Sequence, residues 1–244
     1  MELKNKVVFI TGGSSGIGLA IAKALAEMGN QVVICGRSQE RLVAAKALVP
    51  TLHTIPCDVT HDEEQIAALA EIEQTYGRLD ILINNAGLQY NYLLANEANI
   101  TDRVTKEITL NVTALITLTH RALPLLQKSA DAAIVNVGSG TGLMPKPDGL
   151  VYSATKAAVH SFTTGLRWQL AAQNIQVCEL FPPVVDTAMT SARDEEKVSP
   201  DVVAQTLITG LQRNQAEIYV GKMKALPWLV RFAPGMAASI MQKS

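Results

Sequence analysis

The chain has 244 residues, with 21 basic and 22 acidic side chains and a formal charge of −1. That length suits one large α/β domain or two small ones, and the even charge, with no basic stripe interleaved with aromatics, argues against nucleic acid as a partner. Cys35, Cys57 and Cys178 are odd in number and widely spaced, which argues against a disulfide framework or a zinc site and for reduced thiols in a cytoplasmic protein; MELKNKVVFI is too short in apolar residues for a secretion signal, and no run reaches the ~20 that span a bilayer.

Along the chain, runs rich in Val and Ile alternate with segments of helical period. Strands are predicted near Lys6–Ile10, Gln31–Cys35, Thr51–Pro56, Asp80–Ile83, Ala132–Val137, Gln176–Phe181 and Glu217–Val220. Helices are predicted at Gly16–Met28, Gln39–Leu48, Glu63–Tyr76, Thr101–Leu126 (ended by Pro124), Ser153–Ala172 and Pro200–Arg213. Several strands are continuously apolar, as strands covered on both faces are. The alternation predicts a single Rossmann-type, doubly wound α/β domain over 1–244, its seven-stranded, mostly parallel sheet flanked by helices on both faces.

The first strand runs into VVFITGGSSGIGLA, with Gly12, Gly16 and Gly18 spaced G-x-x-x-G-x-G. Glycine lets the chain turn sharply, approach a pyrophosphate closely and pack the helix on the sheet, while the helix N-terminus offers N–H groups and a positive dipole end. The second strand ends in ICGRS. A carboxylate is expected there when the ribose 2′-hydroxyl is read; Gly36 and Arg37 stand instead, and a guanidinium suits a 2′-phosphate. NADP is therefore favoured over NAD, the alternative being an Arg37 that merely caps the surface.

Farther on stand NNAG (Asn84–Gly87), Ser139 in GSG, and Tyr152 four residues before Lys156 in YSATKAAVHSF. On a helix that spacing sets phenol and ammonium on one face. Taken one at a time, these are an ordinary surface pair and a turn serine. In order behind the glycine loop, with Ser139 thirteen residues before Tyr152, they make the chain similar to the short-chain dehydrogenase/reductase family over nearly its whole length. PCDVT and TLNVTA agree. ICGRS, YSATKAAVHSF and PPVVDTAMT resemble the DltE-like oxidoreductases within that family. One departure is Pro183, where the family commonly has glycine.

The resemblance implies a catalytic set of Asn111, Ser139, Tyr152 and Lys156, with Asn111 holding a water that links Lys156 to solvent. It implies cofactor contacts from Gly12, Ser14, Ser15, Gly16, Ile17, Gly18, Arg37, Asp58, Val59, Asn85, Ala86, Gly87, Tyr152, Lys156, Pro182, Val185 and Thr187. It also implies a homodimer or homotetramer. The reaction expected is NADP(H)-dependent hydride transfer between nicotinamide and a carbonyl or secondary alcohol. Lys156 and the oxidised nicotinamide ring would lower the ordinary phenol pKa of ~10 so that Tyr152 acts as general acid and base. A non-catalytic dinucleotide sensor and an envelope-assembly accessory are the alternatives.

The substrate walls are expected at Leu88–Ala95, Gly140–Val151 and a lid near 184–199, giving an apolar pocket through Leu88, Tyr90, Leu143, Met144, Leu150 and Met189. Lys146 and Arg193 could meet an anionic group, the equal alternative for each being a solvated side chain. His53, His61, His120 and His160 are assigned no chemistry, His160 being placed at a surface or interface. Asp62–Glu64 is read as helix N-terminal charge. The apolar tail 224–244 is read as a cap over the core or a subunit contact, with a membrane-surface segment less favoured.

Overall fold

The chain runs β1 (Val7–Thr11), α1 (Gly16–Glu27), β2 (Gln31–Gly36), α2 (Gln39–Leu48), β3 (His53–Pro56), α3 (Asp62–Tyr76), β4 (Ile81–Asn84), α4 (Thr101–Ile108), α5 (Leu115–Leu126), β5 (Ala132–Val137), α6 (Leu150–Gln169), β6 (Ile175–Phe181), α7 (Pro200–Gln212), β7 (Glu217–Tyr219), α8 (Leu226–Phe232) and α9 (Pro234–Lys243). The structure, a computed structural model, describes residues 1–191 and 194–243. Ala192 and Arg193, the latter an expected anion contact, lie outside them.

The seven strands form one parallel sheet in the order β3-β2-β1-β4-β5-β6-β7. β1, β4 and β5 are buried at every position, because helices cover both faces. One core packs α1 and α7 on the sheet through Ile21, Leu25, Val203 and Leu207; the other packs α3, α5 and α6 through Ile72, Leu118 and Leu166. The chain builds outward from β1 to β3 and then returns to β1's other side with β4. That reversal opens a crevice beyond the carboxyl ends of β1 and β4, where ligands bind in open α/β sheets.

Three elements differ from the sequence reading. The single helix expected over Thr101–Leu126 is interrupted by a π-helical stretch, Thr109–Ala114. Pro124 lies inside the last turn of α5, which ends at Leu126; so near a C-terminus proline removes one ladder bond and the helix soon stops anyway. The sixth helix starts at Leu150 rather than Ser153, so Tyr152 is within it. The tail forms two helices: Pro227 sits in the first turn of α8, and Pro234 opens α9, positions where a missing N–H costs no helical bond. No helix among the described residues is long and apolar enough to cross a membrane.

Candidate active site

The glycine loop leaves β1 with positive φ at Gly12 (63°) and Gly16 (54°), a region that side chains other than glycine's rarely enter. Gly18 meets a different constraint. A Cβ there would stand 2.5 Å from both the Gly12 carbonyl oxygen and Asn85 Nδ2, so it serves the packing of α1 against the loop. No side chain caps α1 at Ser15, and Ser14, Ser15, Gly16 and Ile17 line a cavity of about 1090 Å³. Uncapped first-turn N–H groups beside such a space make an anion site.

Arg37 and Asp58 stand at the far rim of this cavity, joined by Ser38, Glu40 and Arg41. The Arg37 guanidinium lies 3.9 Å from Asp58, and its side chain is 71% exposed. Asp58 accepts hydrogen bonds from the Thr60 N–H (2.9 Å) and hydroxyl (2.7 Å). Burial pushes its carboxyl up, but Thr60 and Arg37 outweigh it and hold the pKa below the usual aspartate value. The acidic first turn of α3 does more than face the dipole: Glu64 accepts the Asp58 N–H at 2.7 Å.

The two asparagines of NNAG do different things. Asn84 is buried and donates to Thr119 and Asn136, joining β4 to α5 and β5. Asn85 Nδ2 donates to the carbonyls of Thr11 and Gly12 (2.9 and 3.1 Å), and the Thr11 hydroxyl accepts the N–H groups of Asn85 and Ala86. The end of β4 is thereby locked to the glycine loop. Asn111, in the π stretch, pairs with the Leu88 peptide: Oδ1 accepts its N–H and Nδ2 donates to its carbonyl, both at 2.8 Å, and Nδ2 also donates to Thr155. Asn111 thus ties the chain beside Gly87 to Thr155 on α6.

Tyr152 and Lys156 lie one turn apart at the start of α6. The Lys156 ammonium is 5.5 Å from the centre of the Tyr152 ring and donates to the Val137 carbonyl at 2.6 Å. Lys156 is 5% exposed; burial pulls its pKa from the lysine value to about 8, against which the Glu179 carboxylate acts. Ser139, just past β5, accepts from the Thr141 N–H and hydroxyl (3.2 and 3.0 Å). His160, expected at a surface or interface, is partly exposed, and its Nδ1 lies 2.8 Å from Glu179.

Of the expected catalytic and cofactor residues, all but Gly18 and Asn111 line the cavity; those two support it from behind. The expected apolar wall is different. Leu88, Tyr90, Leu143, Met144 and Leu150 are not among the lining residues, whereas Met189 is. The Leu88 peptide is held on Asn111, and Leu150 is exposed at the start of α6. The apolar wall comes from the C-terminal segment: Met223, Leu226, Leu229, Ala237, Ile240 and Met241. Its recurring apolar pairs in LPWLVRF and MAASIM were the available signal. Lys146, Gln89 and the 184–190 segment complete the wall. That segment is tied down where Val184 and Asp186 bond the backbone of Val198.

The model of the short chain dehydrogenase family matches residues 6–198. An uncharacterized oxidoreductase of Bacillus subtilis, DltE, is 39% identical over 234 residues, 93% of this chain and 92% of that protein. An uncharacterized oxidoreductase of Staphylococcus aureus (strain USA300) is 36% identical over 86% of this chain and 92% of its own. In fold, a short chain dehydrogenase from Burkholderia cenocepacia solved with NADP superposes with a TM-score of 0.88 at 23% identity, covering 99% of both chains. A 3-ketoacyl-(acyl-carrier-protein) reductase from Brucella melitensis, solved with NADH, gives 0.82 at 26% identity over 90% of this chain and 98% of that one. With its glycine loop, its NNAG clamp and its Tyr152–Lys156 pair in one cavity, the chain belongs to the short-chain dehydrogenases and is an oxidoreductase of that family.

Proposed function

We propose that this chain is an NADP(H)-dependent oxidoreductase acting between a carbonyl and a secondary alcohol, with Tyr152 as general acid and base. The observation that carries the reading is the single cavity that joins the glycine loop to Tyr152 and to the Lys156 ammonium, 5.5 Å from its ring. The residues fit a dinucleotide: positive-φ glycines and an uncapped helix N-terminus for the pyrophosphate, and Asp58 and Val59 for the adenine side. The nicotinamide nucleotide, when bound, supplies or accepts the hydride.

In reduction Tyr152 gives its phenolic proton to the substrate oxygen, and in oxidation it takes that proton back. The buried cation of Lys156 favours the phenolate. Ser139 accepts from Thr141, which leaves its own hydrogen to donate to the reacting oxygen. Asn111 fixes the Leu88 backbone, and so the loop next to Gly87, and ties it to Thr155 on α6. Val185 and Thr187 border the nicotinamide end, where Pro183 removes a backbone donor.

The two solved relatives carry different nucleotides, so the preference for NADP rests on Arg37, with Arg41 on the same rim. The wall of Met189, Met223, Leu226 and Leu229 suits a carbonyl compound with an apolar portion. Exposed Ile108 and Trp168, on α4 and α6, are apolar surface for a homodimer or tetramer. Calorimetric titration with NADPH and NADH, followed by turnover on a panel of aldehydes and ketones, tests the reading. NADPH is expected to bind more tightly and be oxidised by at least one compound; failure to bind either nucleotide contradicts it.

A further inference from the structure

The proposed mechanism leaves one buried acid unused. Glu179, on β6, is 1% exposed. A carboxylate taken out of water is costly unless charge and hydrogen bonds compensate it. Its Oε2 is 2.8 Å from His160 Nδ1, while Oε1 is buried with no hydrogen-bond partner among the described residues. The carboxylate occupies the place a side chain at 138 would need, since a Cβ on Gly138 would stand 2.2 Å from Oε1. Gly138 directly follows Val137, whose carbonyl takes the Lys156 ammonium. His160 and Lys156 are four residues apart on α6, hence on one face. The acid therefore stands opposite two basic side chains, one bonded to it directly and the other held on the residue next to Gly138.

We propose that Glu179, clamped by His160, is a positioning residue that keeps the Lys156 side chain charged beneath Tyr152; this rests on the catalytic reading of Tyr152 and Lys156 given above. The surrounding charges are few. From α6 come Lys156, His160 and Arg167, the last anchored on the carbonyls of Val177 and Ala216. From β7 come Glu217, which is paired with Glu179 in register, and Tyr219, whose hydroxyl donates to Glu217. Burial drives the Glu179 carboxyl up, and the hydrogen bond and charge of His160, then Lys156, work against that rise. The same hydrogen bond raises His160, and Glu179 opposes the downward pull of burial on Lys156. Loss of either member of the clamp leaves the buried ammonium with less compensation.

Lysine labelled with ¹³C at Cε provides the test, with the Lys156 resonance assigned by its disappearance in Lys156→Arg. Its titration midpoint is read in the full chain, and also in Glu179→Gln, which keeps the shape of the side chain and removes the charge. The midpoint is expected to fall by about one pH unit, a tenfold loss of proton affinity, and to fall less in His160→Gln, where Glu179 stays but is protonated more readily. A midpoint that stays put in both variants overturns the proposal. Should Glu179→Gln fail to fold, His160→Gln at the partly exposed end decides in the same way. The titration needs no turnover: a protein inactive toward every carbonyl but with the shifted midpoint would refute the catalytic reading and keep this one.

Discussion

The two ends of the cavity are built by different physics. At the nucleotide end the backbone itself is the binding surface: Gly12 and Gly16 hold φ values that side chains avoid, Asn85 and Thr11 tie the loop to β4, and Thr60 fixes Asp58. At the proposed substrate end the surface is side-chain hydrocarbon, from Met189 and from two short helices at the C-terminus. A site made of backbone geometry tolerates few residue types and so leaves a motif. A wall of packed apolar side chains tolerates many, so long as volume and polarity are kept, and leaves none. On the proposed function, the first kind would fix which class of cofactor enters, and the second which compound meets it.

Perturbing each end should give separable signatures. The largest effect belongs to the junction. Tyr152→Phe removes the proton donor and is expected to lower kcat by about a thousandfold with nucleotide affinity unchanged, as steady-state kinetics and calorimetry together would show; an active variant would refute the acid/base assignment.

Lys156 comes next, through stability. Its folded pKa of about 8 lies below the ordinary lysine value of 10.5. Between those two pH values the unfolded chain binds more protons than the folded one, so stability rises as pH increases through that window, and the cost of burying the ammonium is full below it. Lys156→Met should therefore abolish turnover yet stabilise the fold at pH 7 by up to about 3 kcal/mol. Urea unfolding should show that gain shrinking by about 1 kcal/mol at pH 9.

Arg37→Ala, at the nucleotide rim, should weaken NADPH by about tenfold, the worth of one exposed charge-assisted contact, and leave NADH nearly unchanged. Equal losses would remove the case for the 2′-phosphate. The smallest effect is expected at the other end. Leu229→Ser with Ile240→Ser should raise KM for an apolar substrate by about fivefold, as expected of contacts worth about 1 kcal/mol, without moving either nucleotide's affinity. A matching loss of NADPH binding would mean that the two ends are not independent.

The same contrast explains what was legible in the sequence. β1, β2 and β5 were readable because strands covered on both faces are almost wholly apolar, and the alternation implied a doubly wound sheet, whereas the strand order that reverses between β1 and β4 is a long-range matter that only the fold shows. Tyr152 and Lys156 could be paired because helical spacing fixes their neighbourhood. The role of Asn111 in holding Leu88 depends on a π-helical stretch that no periodicity announces. Glu179 was hidden for a related reason. In QVCELF it reads as an ordinary strand residue, and only the fold carries it under Gly138 and against His160, 19 residues away in the chain. The wall of α8 and α9 depends on where the chain returns after β7, a long-range matter that local pattern does not carry.

The central claim is that this cavity brings a nicotinamide and a carbonyl together at Tyr152. Transfer of deuterium from the reactive C4 face of labelled NADPH tests it most directly, with product analysed by mass spectrometry and NMR. The account predicts the label on the carbinol carbon of an apolar aldehyde or ketone, with one NADP formed per labelled alcohol. Tight NADPH binding with no label reaching any carbonyl compound in the panel would contradict it.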